Sequence, residues 1–474
     1  MTEPRDRYDV VVIGGGPVGE NAADRVVRGG LSAALVEAEL VGGECSYWAC
    51  TPSKALLRPG AALEAARGVA GAAEAVTGPP DAAAVLRRRD GFAAHWDDTG
   101  QAEWLAGAGV DLVRGRGALA GPRRVRVTAE DGGVRVLEAR HAVVLATGSR
   151  PVVPPVPGLG DVPFWGTRDA TAAQEVPGSL AVLGGGVAGT ELAQAFARLG
   201  SRVTVVARSR LLSAFPSTAA RLVAEALDAE GVTVVEGRAT ERVRSAGGGV
   251  ELDLEGGGTV SAEQLLVSTG RRPALADLGL EELGLDPSAL RFDGSGLVAG
   301  AEGGWLYAAG DAAGGRLLTH QGKYQARAVA DAVVARAAGR LGASAPPWSP
   351  YASTADGCAV PQVVFTDPAV ASVGRSAEQA RTDGLEVDVV EHAIDVAGAL
   401  LHRDDYRGWA QLVVDRRRRT LVGATFAGPD VTELLHAATV AVVGEVPLER
   451  LWHAVPVFPT ISEVWLRLLE EYGL

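Results

Sequence analysis

Lysine is almost absent. Of the 45 basic residues in this 474-residue chain, only Lys54 and Lys323 are lysines. The rest are arginines in an alanine- and glycine-rich background, so a single arginine is a weak signal and a lysine a stronger one. Cysteine is scarce too. Cys45, Cys50 and Cys358 are too few to staple a chain of this size, which excludes a secreted, disulfide-built protein. No run approaches the roughly 18 unbroken apolar residues of a membrane span. Positive charge is outweighed: the net charge of −13 argues against nucleic acid, whose affinity rests on neutralising phosphates with a basic face. Thr2–Arg7 lacks the charged-then-apolar pattern of an export signal. A cytoplasmic protein with no nucleic-acid and no membrane partner is expected.

What is present is ordinary globular composition, 47% hydrophobic and 22% charged. At roughly 150 residues per domain, the length predicts about three domains. Residues 8–13 are an apolar, β-branched run that reads as a buried strand. The turn Gly14–Gly19 follows, then a helix-compatible run from Glu20 to Arg28, then a strand from Ala33 ending at Glu37. Residues 150–163 carry five prolines and read as a linker. The opening pattern then recurs: strand 180–183, turn Gly184–Gly189, helix from Thr190 to Leu199, strand 202–206. A helix is predicted from about Gly322 to Arg340, a second linker at 343–350, and a mixed tail over 359–474. The Arg416–Arg419 run reads as a solvated hairpin tip.

A strand, a G-x-G-x-x-G turn and a helix suit a pyrophosphate. Gly14 and Gly184 allow the tight turn. Gly16 and Gly186 let backbone approach the ligand, and Gly19 and Gly189 let helix and strand pack closely. Backbone N–H groups at the helix start then face phosphate. Two flanked copies are a much stronger signal than one. Eighteen residues past Gly19 lies Glu37, a carboxylate placed to accept from ribose hydroxyls. The same offset from Gly189 gives Ala207, followed by Arg208 and Arg210. A missing carboxylate and two arginines suit a 2′-phosphate, so the second module is expected to take NADPH in preference to NADH.

Cys45 and Cys50 sit five apart, ahead of Thr51-Pro52-Ser53-Lys54 and a helix-compatible run. A helix N-terminus and a nearby lysine lower a thiolate pKa, as a redox-active pair requires. A zinc site lacks ligands, so no metal is expected.

With these residues in view, the chain resembles the class I pyridine nucleotide–disulfide oxidoreductases, the family of dihydrolipoamide dehydrogenase, glutathione reductase and mercuric reductase. Gly42–Lys54 is similar to the family's G-G-x-C-x-x-x-x-C-x-P-S-K signature, and nearly the whole chain is covered. The resemblance implies an α/β fold: two Rossmann-like domains, for FAD and for NAD(P)H, plus an α+β dimerisation domain, as a cytoplasmic homodimer. The implied boundaries are 1–150 and 272–350 for the FAD domain, 151–271 for the NAD(P)H domain and 351–474 for the interface domain. Gly14, Gly16, Gly19, Glu37, Lys54, Thr147, Gly148, Gly310 and Asp311 would hold FAD. Gly184, Gly186, Val187, Gly189, Arg208 and Arg210 would hold NADPH. Cys45 matches the interchange thiol, Cys50 the thiol nearest the flavin, Lys54 the lysine beside flavin N5, Glu191 its pairing glutamate, and Val187 the residue between nicotinamide and flavin.

The pattern breaks at the C-terminus. In thiol-reducing members a histidine, supplied by the partner subunit, serves the interchange thiol as acid/base. Here the matching frame runs Pro456-Val457-Phe458-Pro459-Thr460-Ile461-Ser462-Glu463, with Phe458 at the histidine position. Phenylalanine moves no proton, and such help is typically worth about 10²–10⁴-fold. Glu463 and His453 are the nearby substitutes. Mercuric reductases end in a further cysteine pair, which Glu470–Leu474 lacks. Tyr47 and Trp48 enlarge the cysteine loop, either as packing or as substrate contacts. The leading expectation is an FAD-dependent enzyme passing electrons from NADPH to a Cys45–Cys50 disulfide and on to a disulfide substrate. The alternative is a quinone, metal-ion or electrophile reductase on the same scaffold. A redox-sensing flavoprotein without turnover is the third.

Overall fold

The computed structural model describes residues 5–474. The chain forms two compact units. One comprises residues up to Thr51, Asp90–Pro151 and Arg271–Asp356; the other comprises Pro52–Arg89, Val152–Gly270 and Gly357–Leu474.

The first unit is built on a seven-stranded sheet. Arg7–Ile13 lies parallel between Ala33–Glu37 and Val134–Leu145, and Asp111–Arg114 extends the parallel edge. Leu306–Ala308 adds to Val134–Leu145 in parallel, so the sheet is completed by chain from far downstream. Alternate residues of the first strand serve two cores. Val11 and Ile13 face one with Leu145 and Leu306, while Val10 and Val12 face the other with Ala22, Val26 and Val333. Burial on both faces explains the unbroken apolar run in the sequence. The chain leaves this unit at Ser149–Pro151 and returns at Arg271–Pro273, and the two ends pair antiparallel.

The second unit holds a four-stranded parallel sheet, in the order Thr233–Glu236, Arg202–Ala207, Ser179–Leu183, Gln264–Val267. Beside it in sequence is a three-stranded antiparallel meander, Thr240–Ala246, Gly249–Leu254 and Thr259–Ala262. A five-stranded antiparallel sheet forms the C-terminal part, with Thr420–Gly428 at its centre and the Arg416–Arg419 run in the turn before it. The architecture is α/β with Rossmann-like parallel sheets and an α+β C-terminal domain. Among the described residues, no helix is long and apolar enough to cross a membrane.

Three helices start earlier than the sequence suggests, each by three residues. Pro17–Arg28 begins at a proline, whose fixed φ suits the first helical position. Val187–Arg198 likewise starts inside the glycine motif. The glycines belong to the first turn, because that turn must present its free N–H groups. The third helix runs Thr319–Ala337, placing Thr319 in the first turn.

Candidate functional site

In both glycine turns, backbone geometry requires glycine. Gly14 and Gly184 adopt φ of +108° and +122°, in the region that L side chains avoid. A Cβ on Gly19 would collide with the Gly14 carbonyl oxygen, and one on Gly189 with that of Gly184. At Gly16 and Gly186, by contrast, a Cβ would meet no atom within 4 Å. Neither helix N-terminus is capped by a side chain. Open space ahead of uncapped N–H groups is a cradle for a pyrophosphate.

Glu37 closes the strand beside the first turn. Its Oε2 accepts from Gly15 N–H at 2.6 Å and its Oε1 from Glu39 N–H at 2.6 Å. Gly148 follows Thr147, whose hydroxyl donates to the Ala274 carbonyl at 2.8 Å. Gly310 N–H donates to Gln325 at 2.7 Å. Asp311 Oδ2 accepts from Ser149 Oγ at 2.5 Å, and that oxygen accepts from Arg271 Nε at 2.8 Å. Arg271 lies 3.7 Å from Glu44, one residue before Cys45. Ser149 and Arg271 went unread in the sequence. These residues fit an FAD: a pyrophosphate cradle, a carboxylate at the ribose-side strand end and an acid held in place beyond the sheet.

At the second turn, Val187 is 36% exposed and so leaves the turn mouth open. Arg208 is exposed at the end of its strand. Arg210 turns inward and donates to the carbonyls of Leu211, Ser213 and Phe215. Glu236, in register with Ala207 on the next strand, accepts the Leu211 N–H at 2.6 Å. No carboxylate replaces the one that Ala207 lacks on its own strand.

Cys45 lies in the short helix Gly43–Tyr47, and Cys50 opens the helix Cys50–Arg67. Both are free thiols. Cys50 Sγ is 3.2 Å from Thr319 Oγ1, a contact across 269 residues that the sequence did not announce. Cys45 is hydrogen-bonded to Cys50, and this bond, with burial, pushes its thiol up; Thr319 and the charge of Lys323 pull it down. The pair is therefore asymmetric. Hydrogen bonding and burial raise the Cys45 thiol, while Cys50 opens a helix, a position that favours thiolate. Tyr47 is fully buried with its hydroxyl on the Val41 carbonyl at 3.0 Å, so it packs under the loop; the Trp48 ring lies tilted against it, with ring centres 5.6 Å apart.

Lys54 stands one turn beyond Cys50 on the same helix. Its Nζ lies 2.7 Å from Glu191 Oε2 and 4.7 Å from the centre of the Phe365 ring. Glu191 is 3% exposed, and its other oxygen accepts the Phe365 N–H at 2.9 Å. Phe365 thus braces both partners, a role the sequence did not announce. Phe458 is 72% exposed, with Val455 and Val457 at least as open. Glu463 precedes the last helix, and its Oε2 is buried without a hydrogen-bond partner among the described residues.

Comparison with known proteins agrees with this geometry. The family model described as pyridine nucleotide-disulphide oxidoreductase matches residues 8–339, and that of its dimerisation domain matches 360–468. The chain is 33% identical to a mercuric reductase of Acidithiobacillus ferrooxidans over 98% of its own length and 82% of that protein's. It is 33% identical to a dihydrolipoyl dehydrogenase of Chlorobaculum tepidum, over 96% and 95%. Among solved structures, the Cu(II) complex of the HOCl-induced flavoprotein disulfide reductase RclA from Escherichia coli superposes with a TM-score of 0.83 at 25% identity, covering 98% of this chain and 99% of that one. With two dinucleotide cradles, a cysteine pair at a helix N-terminus and matches along nearly its whole length, the chain belongs to the pyridine nucleotide–disulfide oxidoreductases, the FAD-dependent enzymes that act with NAD(P)H.

Proposed function

We propose that this enzyme is a homodimeric NADPH-dependent reductase that delivers electrons through Cys45 and Cys50 to a disulfide substrate. Residues 1–150 and 272–350 would hold FAD, residues 151–271 NADPH, and residues 351–474 the dimer contact. The FAD, when bound, accepts hydride from the nicotinamide and passes two electrons onward. Lys54, fixed by buried Glu191, places a positive charge one turn beyond Cys50. Cys50 holds the thiolate at its helix N-terminus while Cys45 keeps its proton. Cys45 then attacks one substrate sulfur, breaking the substrate S–S bond and forming a mixed disulfide. Cys50 attacks Cys45, restoring the Cys45–Cys50 disulfide and expelling the second sulfur. The departing sulfurs take one proton from Cys45 and one from water, so NADPH, one proton and one disulfide yield NADP⁺ and two thiols.

The carrying observation is the placement of the thiol pair, with Cys50 at a helix N-terminus against Thr319 and Cys45 beside it. The NADPH preference rests on Ala207 and exposed Arg208. Phe458 at the acid/base position favours a second reading, in which a quinone, metal ion or other electrophile takes the electrons. Glu463, with its unpartnered buried oxygen, is the nearest carboxylate in that frame.

Anaerobic titration with NADPH separates the two. A long-wavelength thiolate-to-flavin absorbance band on reduction supports the disulfide relay. Flavin bleaching without that band removes the cysteines from the relay and favours the second reading.

A further inference from the structure

Within the first unit, Asp311 is braced from behind by side chains far away in sequence. Its backbone is pinned on one side. The preceding Gly310 N–H donates to Gln325, which itself donates to Asp356 at 2.9 Å. That leaves the carboxylate free to turn, because the terminal torsion of an aspartate is broad and roughly two-fold. Ser149 removes this freedom. Its buried Oγ lies 2.5 Å from Asp311 Oδ2 and 2.8 Å from Arg271 Nε. A guanidinium only donates, so Ser149 Oγ accepts from Arg271 and its single proton points at Asp311. Arg271 Nη2 also donates to the Ser149 carbonyl at 2.8 Å, so one planar fork grips the side chain and the backbone of one residue. The same nitrogen lies 3.7 Å from the buried Oε2 of Glu44, which balances its charge. Among the described residues, no donor reaches Asp311 Oδ1, which leaves that oxygen for a ligand.

We propose that Arg271 is a positioning residue for FAD binding: acting through Ser149, it locks the Asp311 carboxylate in one orientation, with Oδ1 presented to a hydroxyl of the cofactor. This rests on the reading of Asp311 as an FAD-binding acid. Without Arg271, the Ser149 hydroxyl can rotate, and its proton is no longer committed to Asp311. Without the Ser149 hydroxyl, Arg271 keeps its bond to the Ser149 carbonyl but no longer reaches the acid. Both losses therefore free the same carboxylate, and the cofactor must then order it on binding.

The test is the Kd for FAD of the full-length enzyme, read from the fluorescence of released flavin as the holoenzyme is diluted and FAD is added back. Asp311→Ala should raise the Kd by about 100-fold, and Arg271→Met and Ser149→Ala by about 10-fold each. Placed on top of Asp311→Ala, Arg271→Met should add no more than about twofold, because its effect passes through the carboxylate already removed. A merely structural arginine would add its full effect in both backgrounds. Ser149→Ala removes a single oxygen and carries the same test if an Arg271 variant does not fold. A full tenfold loss from Arg271→Met in the Asp311→Ala background overturns the inference, since Arg271 would then act on FAD by another route. Unchanged Kd values in both Arg271→Met and Ser149→Ala, with Asp311→Ala weakened, overturn it while leaving the reading of Asp311 intact. An unchanged Kd in Asp311→Ala overturns that reading and the inference with it.

Discussion

At the turn Gly14–Gly19, Gly14 N–H donates to the Val36 carbonyl at 2.8 Å and the Gly15 carbonyl accepts Gly42 N–H at 2.8 Å. At Gly184–Gly189, Gly184 N–H donates to Val206 at 2.9 Å and the Gly185 carbonyl accepts Leu212 N–H at 2.8 Å. The backbones are bonded alike, to equivalent strands. Yet the strand beside the first turn ends on Glu37 and the strand beside the second on Ala207. In each turn the second glycine packs against that terminal residue. The shape of the turn is thus a property of backbone, and what distinguishes the two turns is one side chain and the loop after it. The first loop leads to the cysteines; the second is tied down by Arg210.

Changing the shared backbone should have the largest effect. Gly19→Val drives a branched side chain into the Gly14 carbonyl, so the protein should purify without its yellow colour. Gly189→Val should keep the flavin spectrum and raise the KM for NADPH by about 100-fold or more, since a cradle that must shift loses its aligned donors. Equal loss of FAD in both variants would contradict the separation of roles.

Changing the distinguishing side chain should have a smaller effect. Ala207→Asp sets a carboxylate against the 2′-phosphate and offers one to a ribose hydroxyl. The ratio of kcat/KM for NADPH over NADH should fall by about 100-fold, equivalent to about 2.7 kcal/mol. Arg208→Ala removes only the attraction. It should raise the KM for NADPH by about tenfold, about 1.4 kcal/mol, and leave that for NADH within about twofold. Arg210→Ala should change either KM by less than about threefold, because its guanidinium is already bonded to three carbonyls. A nucleotide effect at Arg210 as large as at Arg208 would mean that the loop opens when nucleotide binds.

The legible parts of this molecule were those written in local geometry. A turn that needs glycine at φ above +100° leaves its mark on sequence, and so does a cysteine pair ahead of a helix. Lys54 was legible because lysine is so rare here. Its partner, Glu191, came only from the family resemblance, since nothing local joins residues 137 apart. Thr319, Ser149 and Arg271 were missed, as was the bracing role of Phe365, for the same reason: each meets its partner through the fold. The meander Thr240–Ala262 went unread as well, its short strands being half exposed and rich in charge.

The sequence by itself determined two glycine turns of the dinucleotide-binding pattern, a cysteine pair ahead of a helix and a phenylalanine where the family resemblance places a histidine, because each depends on residue identity at short spacing. Only the tertiary structure decided that Cys50 meets Thr319, that Ser149 links Asp311 to Arg271, and that Phe365 braces Lys54 and Glu191. Each depends on segments far apart in the chain coming into contact within its unit, where burial and nearby charge set the chemistry of the group.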